Sequence, residues 1–173
     1  MNDAPHDGRH DRTRERAARV IYEAPIGEYV GREGAEVLAQ YAGEERSLAD
    51  REMLYRAGDP SDAFFIVTDG RLALVREGNE QNPEVIIHVL ERGDLIGEQS
   101  FLGGTRHATS CVALGAARVL QFRVDDMTPL IEQHPRVLYD FMRGSSSGCH
   151  TAASINRQRL ALEDYLATAG RRH

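Results

Sequence analysis

Between residues 52 and 124 the chain is interrupted at short, regular intervals by turn chemistry, and nothing else in the sequence restricts its fold as strongly. The punctuation falls at Gly58-Asp59-Pro60, Asp69-Gly70, Gly78-Asn79, Arg92-Gly93-Asp94, Gly103-Gly104 and Leu114-Gly115. Glycine supplies positive φ, and Asp, Asn and Pro favour reversals. The segments left between, residues 52–56, 63–68, 71–76, 85–90, 108–114 and 117–124, are short apolar-rich or alternating runs. They are too short for stable helices and read as strands. Many short strands closed by tight turns predict an antiparallel β-roll or jelly-roll sandwich.

The flanks have a different texture. Residues 1–10 read as a disordered lead, residues 13–22 as a short helix ending before Pro25-Ile26-Gly27, and residues 35–41 as a second helix. After the strands, Asp125-Asp126-Met127-Thr128-Pro129-Leu130 has helix-start chemistry, and His134-Pro135 marks a break before another helix. In that last segment Leu138, Phe141, Ser145, Gly148, Ala152, Ile155, Arg159, Leu162 and Leu166 recur at steps of three and four, a helix-pairing stripe. Its centre, residues 143–150, is rich in Gly and Ser, which weaken a helix but allow close backbone approach or room for a ligand. The expectation is a long helix, weak or interrupted near Gly144 to Gly148. The fold class is α+β, mainly β, organised as an N-terminal extension (1–33), a β-roll (34–135) and a C-terminal helix with tail (136–173).

At 173 residues the chain has room for one core. A hydrophobic fraction of 41% beside 28% charged residues is ordinary for a soluble protein. No apolar run reaches bilayer length, and the polar first twenty residues lack the apolar centre of a signal peptide, so a cytoplasmic location is expected. The net charge of −6 argues against non-specific nucleic-acid binding. Arg9, Arg12, Arg14, Arg16 and Arg19 form a local basic series, but Asp7, Asp11 and Glu15 are interleaved, so it reads as a solvated helix face rather than a DNA arm. The cysteines, Cys111 and Cys149, make neither a CxxC pair nor a disulfide framework and fit a reducing compartment.

One turn carries more than turn chemistry. In the segment Gly97-Glu98-Gln99-Ser100-Phe101-Leu102-Gly103-Gly104-Thr105-Arg106-His107-Ala108-Thr109, Gly97 permits a sharp reversal and residues 98–102 can make one helical turn. The N–H groups of that turn and the guanidinium of Arg106 suit an anion, while the carboxylate of Glu98 suits a hydroxyl. A ligand carrying ribose and phosphate together meets both demands, and internal pairing of Glu98 with Arg106 is the alternative.

The same segment resembles the phosphate-binding cassette of the cyclic-nucleotide-binding domain family, the β-roll of catabolite-activator-like proteins and protein kinase A regulatory subunits. The matching words are Ile96-Gly97-Glu98-Gln99-Ser100-Phe101 and Arg106-His107-Ala108-Thr109. Further resemblances occur in the family's order at Arg56-Ala57-Gly58-Asp59-Pro60-Ser61-Asp62, at Phe64-Phe65-Ile66-Val67-Thr68-Asp69-Gly70-Arg71-Leu72, and at Val89-Leu90-Glu91-Arg92-Gly93-Asp94-Leu95-Ile96-Gly97-Glu98. Together they span about residues 41–135.

The resemblance implies a non-enzymatic sensor of a cyclic mononucleotide. Glu98 would accept the ribose 2′-OH, Arg106 would pair with the cyclic phosphate, and Gly97, Glu98, Gln99, Ser100, Arg106, His107 and Ala108 would form the binding set. It implies cyclic AMP over cyclic GMP, because members preferring cyclic GMP often carry a hydroxyl residue where His107 stands. It further implies a C helix that moves on ligand binding and signals through a homodimer or a protein partner. The chain ends soon after that helix, so no attached DNA-binding module is expected. Three departures from the family wording are a loop between Glu98 and Arg106 about one residue shorter than in many members, Gln99 for an apolar residue, and His107 for a small one.

His107 has two readings, a semi-exposed polar residue beside the pocket or a further donor to phosphate or base that makes binding pH-dependent. Gly58 and Asp59 read as hairpin residues, Asp62 as a turn cap, and Arg71 and Arg76 as surface charge. His88, His134 and His150 lack metal-ligand spacing, and no serine or cysteine lies in a nucleophile motif, so neither a metal nor a cofactor is expected. The rival to a sensor is an interaction module that keeps the roll without binding a nucleotide, and the three departures are what favour it.

Overall fold

The computed structural model describes residues 7–79 and 83–146. Two helices, α1 (Asp7–Glu23) and α2 (Gly27–Gln40), precede the strands β1 (Glu45–Leu48), β2 (Met53–Tyr55), β3 (Ala63–Asp69), β4 (Leu72–Arg76), β5 (Val85–Leu90) and β6 (Leu95–Ile96). A short helix α3 (Glu98–Gly103) follows, then β7 (Ser110–Ala113), β8 (Ala117–Arg123), α4 (Val124–Gln133) and α5 (Pro135–Ser146). The strands form two four-stranded sheets, ordered β1-β8-β3-β6 and β2-β7-β4-β5, with every pair antiparallel. This is the mainly β roll flanked by helices that the turn punctuation predicted.

Alternation along β3 explains how the layers are joined. The six residues from Ala63 to Thr68 are all buried, because successive side chains on a strand face opposite sides and both sides are covered here. Phe65 and Val67 point inward, packing with Leu54, Leu72, Leu90, Ile96, Cys111 and Val119 between the sheets. Phe64 and Ile66 point outward, beneath the helices, against Ile21, Ile26, Leu38, Leu130 and Phe141. Phe64 centres an aromatic group: it stacks on Phe122 at 4.7 Å, meets Phe101 of α3 edge-on at 5.1 Å and packs on Phe141 of α5 at 5.1 Å.

The helices extend further than the sequence signals indicated. Residues 7–10, expected in a disordered lead, belong to α1, whose Ala17, Val20 and Ile21 pack into the core. The second helix begins at Gly27 rather than near Ala35, and Gly31 interrupts it with φ 66° and ψ −175°. Burial of Ile26, Ala35 and Leu38 outweighs the low helix propensity of Gly27, Gly31 and Gly34. Two strands also escaped the pattern. β1 is polar except for Leu48, and its Glu45 is held by Thr68 at 2.6 Å and by Arg16 at 3.2 Å; β6 has only two residues.

At the C-terminal end, α5 runs unbroken through Gly144 to Ser146. A Cβ on Gly144 would lie 2.4 Å from Ile26 Cδ1 and 3.0 Å from the Tyr29 ring, so this glycine is what lets α5 lie close on α2. Of the expected pairing stripe, Leu138, Phe141 and Ser145 are in α5; the positions from Gly148 onward fall outside the described residues.

Candidate nucleotide site

The site is assembled where β6 runs into α3. Gly97 ends the strand run in the left-handed region, φ 78° and ψ 3°, and becomes the N-cap of α3. Both the turn and the lack of a side chain are required there, since a Cβ would lie 3.0 Å from His107 Cε1. Phe101 N donates to Gly97 O at 3.0 Å to close the turn, and Gly104, at φ 61°, ends the helix. Phe101 then ties α3 to β3 through Phe64.

The opposite wall is the segment entering β7, fixed against the hairpin before β3. Arg106 bridges Pro60 in an antiparallel contact, Gly58 N donates to His107 O at 2.8 Å, and His107 N donates to Asp59 O at 3.0 Å. Asp59 serves the hairpin as expected, accepting from Arg56 N at 2.8 Å. The carboxylate of Asp62, expected as a turn cap, instead lies 3.9 Å from the Arg123 guanidinium. Ser110 Oγ accepts from Ala57 N at 2.8 Å and donates to Glu77, anchoring the base of the segment.

Because neighbouring residues in an extended segment face opposite ways, only one of Arg106 and His107 can turn inward. His107 does, with 6% exposure, its ring lying on that of Tyr55 at 3.6 Å and 8°. Arg106 is exposed and its guanidinium donates to the carbonyl of Gly58 at 2.8 Å.

Between the walls is a cavity of about 330 Å³ lined by Gly97, Glu98, Gln99, Ser100, His107, Ala108 and Thr109, with Tyr55, Leu74, His88, Leu90, Asp94, Leu95 and Ile96 completing it. That volume is at the lower end of small-ligand pockets. Of the residues singled out from the sequence, Gly97, Glu98, Gln99, Ser100, His107 and Ala108 are brought together here; Arg106 is not among the lining residues. Glu98 is buried, at 8% exposure. Two larger grooves lie against α1 and contain no part of the Gly97 turn.

Burial governs the electrostatics of this cavity. It holds the His107 imidazole below its ordinary pKa, against the opposing pull of Asp59 and Asp62. It also raises the Tyr55 phenol far above its usual value, with the Cys111 and Glu98 charges adding to the effect, and pushes the Cys111 thiol up to about 12. The cavity wall is therefore neutral at His107 and Tyr55 near pH 7, as is Cys111 in the core between the sheets. Tyr55, Leu74 and His88 were legible only as strand residues. The signal that could have found Tyr55 is register: β2 pairs with β7 so that Tyr55 faces Cys111, next to the cassette arm.

This constellation of a β-roll, a left-handed glycine opening a short helix and a cavity beneath it defines a class, and the comparisons agree. Residues 45–134 match the cyclic nucleotide-binding domain, and the chain belongs to that family. Among solved structures, a cyclic nucleotide-binding domain from Methylobacillus flagellatus superposes with a TM-score of 0.68 at 19% identity, covering 91% of this chain and 85% of that one. The regulatory subunit of a cAMP-independent protein kinase A from Trypanosoma brucei does so with a TM-score of 0.59 at 18% identity, covering 76% and 52%. In sequence, lysophospholipase NTE1 of Mycosarcoma maydis is 27% identical over 92 residues, 53% of this chain but 5% of that protein's length. None of the helices among the described residues is long and apolar enough to cross a membrane.

Proposed function

We propose that this protein is a non-enzymatic receptor for a cyclic mononucleotide, cyclic AMP in preference to cyclic GMP, that signals through movement of α5. The observation that carries this reading is the cavity inside the matched region, walled by Gly97, Glu98, Gln99 and Ser100 on one side and by His107 and Ala108 on the other. Glu98 would accept the ribose hydroxyl from the first turn of α3, and the apolar residues Leu74, Leu90 and Leu95 would take the base. Aromatic packing offers a route to α5: Phe101 of α3 contacts Phe64, and Phe64 contacts Phe141. Ligand that shifts α3 would then favour one α5 position over another, provided it binds the two arrangements with different affinity. The output would pass to a second copy of the chain or to a protein partner.

A second reading is favoured by one observation. Arg106, the residue the family resemblance assigns to the phosphate, is tied to Gly58 O and faces solvent. A roll that no longer binds nucleotide and acts as an interaction module would have no use for that guanidinium in the cavity, and the Trypanosoma brucei subunit with this fold belongs to a cAMP-independent protein kinase A. Calorimetric titration with cyclic AMP and cyclic GMP separates the two. The receptor predicts saturable heat with at least one of them. Absence of both heat and a thermal shift at millimolar nucleotide would leave the interaction module.

A further inference from the structure

We propose that the ligand's anion is met by the imidazole of His107, in place of the guanidinium of Arg106, and that binding therefore takes up a proton; this rests on the receptor reading above. Three features of the geometry lead here. Of Arg106 and His107, it is His107 that lines the cavity, at 6% exposure. Its ring is fixed in place, face to face with Tyr55 at 3.6 Å and with Cε1 set 3.0 Å from where a Cβ on Gly97 would be. Its contacts are that stack and its backbone bonds to Gly58 and Asp59; among the described residues no hydrogen bond engages the ring nitrogens. An imidazole lining the cavity can donate to an anion there, and as an imidazolium it also supplies the charge.

Arg106 is committed elsewhere. Its bridge to Pro60 and its bond to Gly58 O place it on the outer side of the arm. Strand alternation puts neighbouring side chains of the arm on opposite sides, so with Arg106 held outward it is His107 that looks inward.

The groups facing His107 decide the sign of the pH dependence. Tyr55 of β2 lies under the ring, Asp59 and Asp62 of the preceding hairpin act on it from behind, and Glu98 of α3, Asp94 before β6 and His88 of β5 share the cavity. Free, the ring is held neutral by burial, below its usual titration range. A bound anion favours the imidazolium, so its proton affinity rises on binding. Affinity then increases as pH falls, by at most tenfold per pH unit for one proton, and levels off below the titration of the free ring. A cyclic phosphodiester does not itself titrate in this range, so the slope reports the protein.

The test is calorimetric titration of the full chain with cyclic AMP and cyclic GMP at pH 5.5 and 7.5, each in two buffers of different ionisation enthalpy. The expected result is binding at least about tenfold tighter at pH 5.5, with about one proton taken up per nucleotide in the buffer comparison. His107→Gln should bind weakly with no pH slope, while Arg106→Ala should keep the slope. Histidine ring resonances, assigned by difference against His107→Gln, should move the His107 titration upward when nucleotide is added. Binding of equal strength at both pH values, loss of binding in Arg106→Ala, or loss of the slope in His88→Gln with its retention in His107→Gln would each overturn the assignment while leaving a receptor. No heat from wild type at either pH would overturn the receptor reading, and this inference with it.

Discussion

Replacing Gly97 with alanine tests the geometry on which the cavity depends. The residue sits at φ 78° and ψ 3°, where an L side chain costs about 1–2 kcal/mol. The new Cβ would also lie 3.0 Å from His107 Cε1 and 3.6 Å from Nδ1. The ring cannot simply retreat, because Tyr55 is stacked on it at 3.6 Å. Alanine narrows the unfolded ensemble, an opposing gain of about 0.4–1 kcal/mol where the native backbone suits it, which this one does not. The expected net loss is about 1–2 kcal/mol by urea denaturation, or roughly 2–4 °C in Tm for each kcal/mol in a chain of this size. A double-mutant cycle isolates the contact. In the background of His107→Ala the steric part disappears, so the two substitutions should couple by about 0.5 kcal/mol or more. A Gly97→Ala protein as stable as wild type, or a coupling indistinguishable from zero, would refute the close approach of turn and imidazole.

Phe141→Ala, which removes a ring with 1% exposure from beneath α5, should cost about 3–5 kcal/mol in the same denaturation assay; a loss under 1 kcal/mol would mean that α5 is not seated on Phe64. Glu98→Ala should weaken nucleotide binding by about 1–3 kcal/mol in calorimetry, since a ribose hydroxyl would be left without its acceptor, and unchanged affinity would remove Glu98 from the ligand. The Cys111 thiol, buried and pushed up to about 12, should resist alkylation at pH 8 in a Cys149→Ser protein until denaturant is added, as read by intact mass. Because its folded pKa is raised, the stability it contributes is full below its ordinary value of 9.0 and declines as pH rises from there toward 12. The imidazole of His107 acts in the opposite direction: its depressed folded pKa makes the free protein lose stability as pH falls below 6.5, and His107→Gln should flatten that acid limb in thermal melts.

Much of the roll was legible because its information is local. Alternating runs and glycine turns dictate hairpins without reference to distant residues, and the strands at residues 63–69, 72–76, 85–90 and 117–123 lie where those runs do. What escaped depends on contacts made at a distance. β1 is a polar edge strand, defined by pairing to β8 and by the bond from Thr68 to Glu45. The early start of α2 depends on Ile26 and Leu38 packing under β3, which overrides three glycines. At the cavity, the sequence placed Gly97 through Ser100 and His107 at one site because they share a single turn and arm. It could not decide between Arg106 and His107 as the inward residue, since that choice is set by a bridge to Pro60, on a hairpin over forty residues away in the chain.

Whether a cyclic nucleotide enters this cavity can be read from amide chemical-shift mapping with added cyclic AMP or cyclic GMP. The prediction is a saturable set of changes at Gly97 to Ser100 and at His107 to Thr109, with a second set in α5 around Phe141. Changes confined to the grooves beside α1, or none at millimolar nucleotide, would contradict it.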